Sequence, residues 1–236
     1  MPAATRTLPK PTPPHALKTA LAFFTKHGSA KFRADMSARY GIATRDKTYG
    51  VPMAKLHLLA KQLGRDHALA QALWATGIYE ARMLAIFVEE PQRVTSSQMD
   101  RWARASDNWA VTDTLCFKLF DQTPHAWTKA EAWCAKPDEF VRRAGLALIA
   151  SLALHTKGGD PAPFLRALAL IERAAGDERN FVKKAASWAL RAIAQRKDRE
   201  TNAAALALAQ RLAASPNKTA AFIGRDALKA IKKGST

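Results

Sequence analysis

From about Ala16 onward the chain is a succession of short amphipathic segments at helical spacing, and runs of β-branched residues are almost absent. Alanine is abundant and glycine is not, a balance that favours helix nearly everywhere. With 236 residues, 48% of them hydrophobic and 24% charged, the chain is long enough for one large domain or two small ones with a buried core.

The segments follow one another with brief breaks. "ALKTALAFFTKH" ends at Gly28, and the polar connection "YGIATRDKTYGVP" gives way to "MAKLHLLAKQLG". "ALAQALWATG" and "IYEARMLAIFVEE" come next, the latter stopped by Pro91. Cap chemistry marks several starts: "TSSQMDRWARA" opens on hydroxyls, and "SDNWAVTDTLCFKLF" on Ser106 and Asp107. In "TKAEAWCA" the Thr128/Glu131 spacing matches a capping box. In "GDPAPFLRALALIERAAG" Asp160 is placed for an N-cap, with Pro161 at the first helical position. "NFVKKAASWALRAIAQR", "ETNAAALALAQRLAA" and "TAAFIGRDALKAIKK" complete the set.

About a dozen helices of roughly 10 to 17 residues are expected, too short for a coiled coil. Consecutive short pairs predict an all-α protein, an α-solenoid of stacked antiparallel helix pairs (HEAT-like repeats) with a basic concave face. A compact irregular helical bundle is the competing architecture. The Pro-rich residues 1–15 read as a loose tail and 16–236 as a single domain.

Charge narrows the function classes. Lys and Arg number 37 against 20 Asp and Glu, giving a formal net charge of +17 and a pI near 10.3. A soluble protein this basic points to a polyanionic partner, nucleic acid before others, against a merely solvated basic surface. Cys116 and Cys134 form neither a disulfide framework nor a metal motif, which fits a reducing cytosol. The six histidines show no ligand spacing. The N-terminal "MPAATRTLPKPTPPH" has no apolar h-region and no run approaches membrane-spanning length, so a cytoplasmic protein without membrane anchor is expected, nucleoid-associated if prokaryotic. Gly-rich phosphate loops and nucleophile signatures are lacking.

Against this basic background, "SDNWAVTDTL" (Ser106 to Leu115) places Trp109 and Asp113 four residues apart, on one helical face. A carboxylate repels phosphate, so in a nucleic-acid binder Asp113 needs another job. It could stabilise positive charge or orient water as a glycosidic bond breaks, or it could be a surface acid paired with a nearby base. Trp109 could meet a cation, sugar or base, or it could pack in the core, the expected place for Trp102. Lys184, Trp188 and Arg191 share one helical stripe, while Phe181, Ala185, Trp188 and Ala192 form another that would turn Trp188 inward. Arg142 and Arg143 stand near a helix N-terminus, where they oppose the macrodipole; an anion beside them would offset that cost. Phosphate contact and a charged rim remain the two readings.

"YGVPMAKLHLLAKQL", "IYEARMLAIFV", "DNWAVTDTL", "FVRRAGLALIA" and "NFVKKAASWALRAI" resemble, in that order, the motifs of the AlkD-type alkylpurine DNA glycosylases, which are HEAT-like repeat proteins. The resemblance runs from about Phe32 to Ile193 and is most specific at "DNWAVTD" and "KKAASWALR". It implies hydrolysis of the N-glycosidic bond of cationic N3- and N7-alkylated purines (3-methyladenine, 7-methylguanine) in duplex DNA, in base excision repair. It also implies that the base is not flipped into a pocket. No metal or organic cofactor is required for this chemistry, and a monomer is expected.

Carried over residue by residue, Asp113 corresponds to the family's catalytic aspartate and Trp109 to its neighbouring tryptophan. Trp188 corresponds to the second cleft tryptophan. Arg143 corresponds to the arginine that holds the backbone, with Arg142 the alternative register. Lys184 and Arg191 are expected to support DNA binding. In "RADMSARYGIATRDKTYG" the family's N-terminal aromatic does not align cleanly; Tyr40 is the nearest candidate, with Met36 the alternative. Two rivals stand beside the enzyme: a catalytically silent HEAT-like nucleic-acid binder and a HEAT-like protein-interaction scaffold.

Overall fold

The computed structural model describes residues 12–234. The expected tail lies mostly outside the described residues; at its end, Pro13 to His15 already belong to the first helix. Thirteen α-helices follow, and among the described residues the sole β-pairing is an isolated bridge between Lys47 and Ile78. No described helix is long and apolar enough to cross a membrane.

The chain divides into two compact units, the first ending at Arg93 and the second beginning at Val94. The first holds α1 (Pro13–His27), α2 (Ala30–Ala38), α3 (Met53–Leu63), α4 (His67–Trp74) and α5 (Tyr79–Val88). The apolar helix α5 is its centre, packed by α3 and α4, and it buries Met83, Leu84, Ile86 and Val88. Glu80 at the start of α5 is also wholly buried. Its Oε1 accepts from the backbone N–H groups of Tyr49 (3.0 Å), Gly50 (2.7 Å) and Val51 (3.3 Å). One carboxylate thereby satisfies the donors of the turn leading into α3, which would otherwise be stranded at a buried site. Gly50 is required in that turn, because its φ is 77° and a Cβ there would lie 2.2 Å from the carbonyl oxygen of Ser29.

The second unit holds α6 (Ser96–Ala105), α7 (Trp109–Lys118), α8 (Ala126–Cys134), α9 (Glu139–His155), α10 (Ala162–Ala174), α11 (Asn180–Ala194), α12 (Arg199–Ala213) and α13 (Lys218–Gly234). Within it, α9 packs on α7 and α11, and α11 on α13, so the second helices of successive pairs form one layer. Helices α8, α10 and α12 form the other, each against its own partner and its neighbours. This is the stacked-pair architecture of a solenoid, in which no pair buries its apolar stripe alone. The middle helix, α9, is buried almost continuously from Arg143 to Ala153. Its apolar residues run all round the helix because it has neighbours on several sides. Gly145 lets α8 come close: a Cβ there would sit 2.6 Å from the backbone nitrogen of Cys134.

The hydroxyl start behaves as its sequence suggests: Thr95 accepts from the Gln98 N–H (3.1 Å). At α10 the cap position is Pro161 and the helix begins at Ala162, so Asp160 lies one residue outside the cap, although its carboxylate still accepts from the Ala162 N–H (2.9 Å). The capping box at Thr128/Glu131 is not formed. Helix α8 begins at Ala126, two residues earlier, so Thr128 stands inside the first turn. At α7 the cap is Asn108, whose Oδ1 accepts from the Val111 N–H (3.0 Å), rather than Ser106 or Asp107.

Candidate functional site

The Asn108 cap makes Trp109 the first residue of α7, and this fixes which faces the helix presents. Ala110, Val111, Leu115 and Cys116 are buried, and the Cys116 thiol reaches the Ala144 carbonyl of α9 at 3.3 Å. Trp109, Asp113 and Phe117, spaced i, i+4 and i+8, form the opposite, partly exposed stripe.

Asp113 is the centre of this row. Its side chain is 20% exposed, and that of Arg143 on α9 is 7% exposed. Arg143 donates from Nε to Oδ1 (2.8 Å) and from Nη2 to Oδ2 (2.6 Å), a bidentate fork, and from Nη1 to the Phe181 carbonyl of α11 (2.6 Å). Three successive second helices therefore meet at one guanidinium. Burial pushes the Asp113 carboxyl above its usual range, and the Arg143 hydrogen bonds and charge oppose that shift. A carboxylate has about four lone-pair sites, so the fork leaves acceptor capacity on both oxygens.

Phe117, one turn beyond Asp113, is a member of the row that sequence reasoning missed. Its ring stacks on Trp188 of α11, with centroids 6.1 Å apart and planes at 30°. Trp188 is thus partly exposed and adjoins the Asp113 row, while Trp102 is buried in the core. The i+4 spacing from Asp113 to Phe117 is the signal that could have revealed it.

The other expected residues are placed as follows. Arg142 points away from Asp113: it donates to the Lys136 carbonyl (2.8 Å) and to Asp177 (2.8 Å). The anions that offset these two arginines near the start of α9 are therefore protein groups, Asp177 for one and Asp113 for the other. Lys184 is exposed on α11. Arg191 is half-buried, 3.6 Å from Asp226 of α13. Tyr40 belongs to the first unit, just after α2; it is 42% exposed, with the Arg39 guanidinium 5.6 Å from its ring. Met36 is buried in that unit's core.

Among the described residues no cluster of His, Cys, Asp or Glu is arranged to hold a metal ion. Both cysteines are free, and burial pushes their thiols up, that of Cys134 to about 12. At neutral pH neither supplies a thiolate.

Residues 21–231 match the family model of the DNA alkylation repair enzymes. The chain belongs to that family. No curated protein matches it. A solved structure with a TM-score of 0.77 and 19% identity covers 92% of this chain and 94% of its own. That structure represents a family related to the HEAT-like repeat DNA glycosylases, with affinity for branched DNA structures. A designed armadillo repeat protein in complex with a Lys-Arg repeat peptide matches only at a TM-score of 0.39 and 14% identity, covering 95% of this chain and all of its own. The first likeness establishes a HEAT-like repeat fold for this member of the alkylation repair family.

Proposed function

We propose that this protein is an alkylpurine DNA glycosylase whose central acid is Asp113. The observation that carries the reading is the row itself. A carboxylate oriented by a bidentate arginine opens to solvent between Trp109 and Phe117, with Trp188 stacked at the end of the row, in a chain of net charge +17.

The chemistry asks little of such a site. A purine alkylated at N3 or N7 is cationic, so when the C1′–N9 bond breaks the base keeps the bonding pair and leaves neutral. The sugar becomes oxocarbenium-like, and water adds at C1′ with loss of a proton. A fixed anion beside C1′ stabilises that developing charge and accepts a hydrogen bond from the incoming water. Trp109, Trp188 and Phe117 offer faces that attract the cationic nucleotide and pack on deoxyribose. In this reading the lesion is not extruded into a pocket, unlike in most glycosylases. Lys184 and Arg191 on α11 add contacts to the phosphate backbone, with Tyr40 of the first unit a further candidate contact, and binding is correspondingly sensitive to salt. Arg143 serves first as the clamp on Asp113, and a phosphate contact by it is secondary. The protein acts as a monomer in this reading.

The test is release of 7-methylguanine and 3-methyladenine from methylated duplex DNA. Release well above the spontaneous rate supports the enzyme. A second reading, a silent binder of DNA structures, is favoured by the branched-DNA affinity described for the structural neighbour. It predicts salt-sensitive binding with no release above background.

A further inference from the structure

At the Phe117 end of the Asp113 row, a second acid is buried and unused by the chemistry above. Asp121 lies in the short 3-10 turn after α7, and its side chain is 2% exposed. Its Oδ2 accepts from the Ser151 hydroxyl (2.7 Å) and pairs with Nδ1 of His155, the last residue of α9. Its Oδ1 is buried without a hydrogen-bond partner among the described residues. The His155 side chain is 45% exposed, and its ring meets the edge of Phe117 with centroids 4.2 Å apart. The Lys118 ammonium lies 5.1 Å from the centroid of the same Phe117 ring.

A histidine in the last turn of a helix is favourable by itself, through the macrodipole. That does not account for the acid. A carboxylate removed from water is costly unless it is paired, and the described partners of this one are a serine hydroxyl and an imidazole. Such an arrangement fixes the ring by its Nδ1 and leaves Nε2 for another partner. Phe117 separates His155 from Asp113 by about one helical turn, ~6 Å along α7, so the imidazole reaches the flank of the site rather than the reacting sugar.

We propose that His155, oriented by Asp121 and Ser151, donates through Nε2 to a DNA backbone phosphate flanking the Asp113 row, with Lys118 beside it. This rests on the DNA reading of the row but not on base release. Asp121 is a positioning residue, acting through the ring it holds.

The test uses the full chain, an undamaged duplex of about 20 base pairs, and dissociation constants measured by fluorescence anisotropy between about 50 and 200 mM salt. His155→Phe, which keeps the ring against Phe117 and removes both nitrogens, should weaken binding roughly 3- to 10-fold. It should also reduce the slope of log K against log salt by about 1, the signature of one lost phosphate contact. Asp121→Asn should move both quantities in the same direction by less, and a purely structural role for the pair would not change the salt slope. If wild type binds and both variants match it in affinity and slope, the inference is overturned while the glycosylase reading stands. If the variants lose affinity and slope while wild type releases no base, the contact stands and the glycosylase reading fails.

Discussion

Asp113 and Arg143, on neighbouring helices of the second unit, face each other through two parallel hydrogen bonds of 2.8 and 2.6 Å. The pair is both a structural joint and the frame of the proposed site, because the same guanidinium also reaches the Phe181 carbonyl. Its two roles separate by mutation.

Arg143→Ala removes the clamp and strands a mostly buried carboxylate. The loss should be about 2–4 kcal/mol in urea unfolding, somewhat below a fully buried pair because Asp113 keeps some solvent. Asp113→Asn should cost less, since the amide oxygen still accepts one guanidinium N–H. A double-mutant cycle should return a coupling of about 1–3 kcal/mol. Additive effects would show that the fork is not an energetic unit.

Burial also gives the site a pH signature. Because burial holds the Asp113 carboxyl above its usual range, an anion-dependent reaction should fall off at a pH higher than an exposed aspartate would give. Single-turnover release measured from about pH 4 to 8 should show one acidic limb, displaced upward from the ordinary aspartate pKa of about 3.9. A rate flat down to pH 4 would contradict an essential ionised Asp113.

Asp177 behaves in the opposite sense. Hydrogen bonds from Arg179 first, and from Arg142 in addition, hold its carboxyl down to about 2. A depressed folded-state pKa contributes stability that is complete above the unfolded value of about 3.9 and is lost as pH falls toward the folded value. Between about pH 4 and 2, wild type should therefore lose its stability advantage over Asp177→Asn, as followed by thermal melts at each pH. A constant gap across that window would show that the pair is not linked to folding.

In the first unit the equivalent stake is Glu80. Glu80→Ala leaves the N–H groups of Tyr49, Gly50 and Val51 without their acceptor. It should destabilise the unit by about 2–4 kcal/mol, read as early loss of amide protection at residues 49–51 and in α3. Glu80→Gln, which retains an acceptor oxygen, should recover part of that loss.

These relationships show what was legible in the sequence. Helix content and stacking follow from apolar periodicity and short connectors, which are local properties, so the solenoid could be read directly. Trp109 and Asp113 could be placed on one face because i+4 spacing is also local. The partner of Asp113 was open among nearby bases, since a fork spanning 30 residues depends on how α7 and α9 pack. Glu80 and Asp121 were passed over for the same reason: a buried acid looks like a surface acid until its donors arrive from a distant segment. The capping box at Thr128 failed because α8 starts at Ala126, so an apparent local signal gave way to packing. The break after Arg93 has no composition shift to announce it.

The most direct test of the account compares wild type with Asp113→Asn for release of 7-methylguanine and 3-methyladenine, alongside the affinity of each protein for undamaged duplex. Asp113 is assigned to the transition state rather than to phosphate, so the variant should lose at least about 100-fold in single-turnover rate, in line with removal of one electrostatic stabiliser. Its affinity for the duplex should be equal or slightly higher, because a negative charge has been removed. Release by the variant at the wild-type rate, or release by neither protein above the spontaneous rate, would contradict the assignment of Asp113 as the catalytic carboxylate.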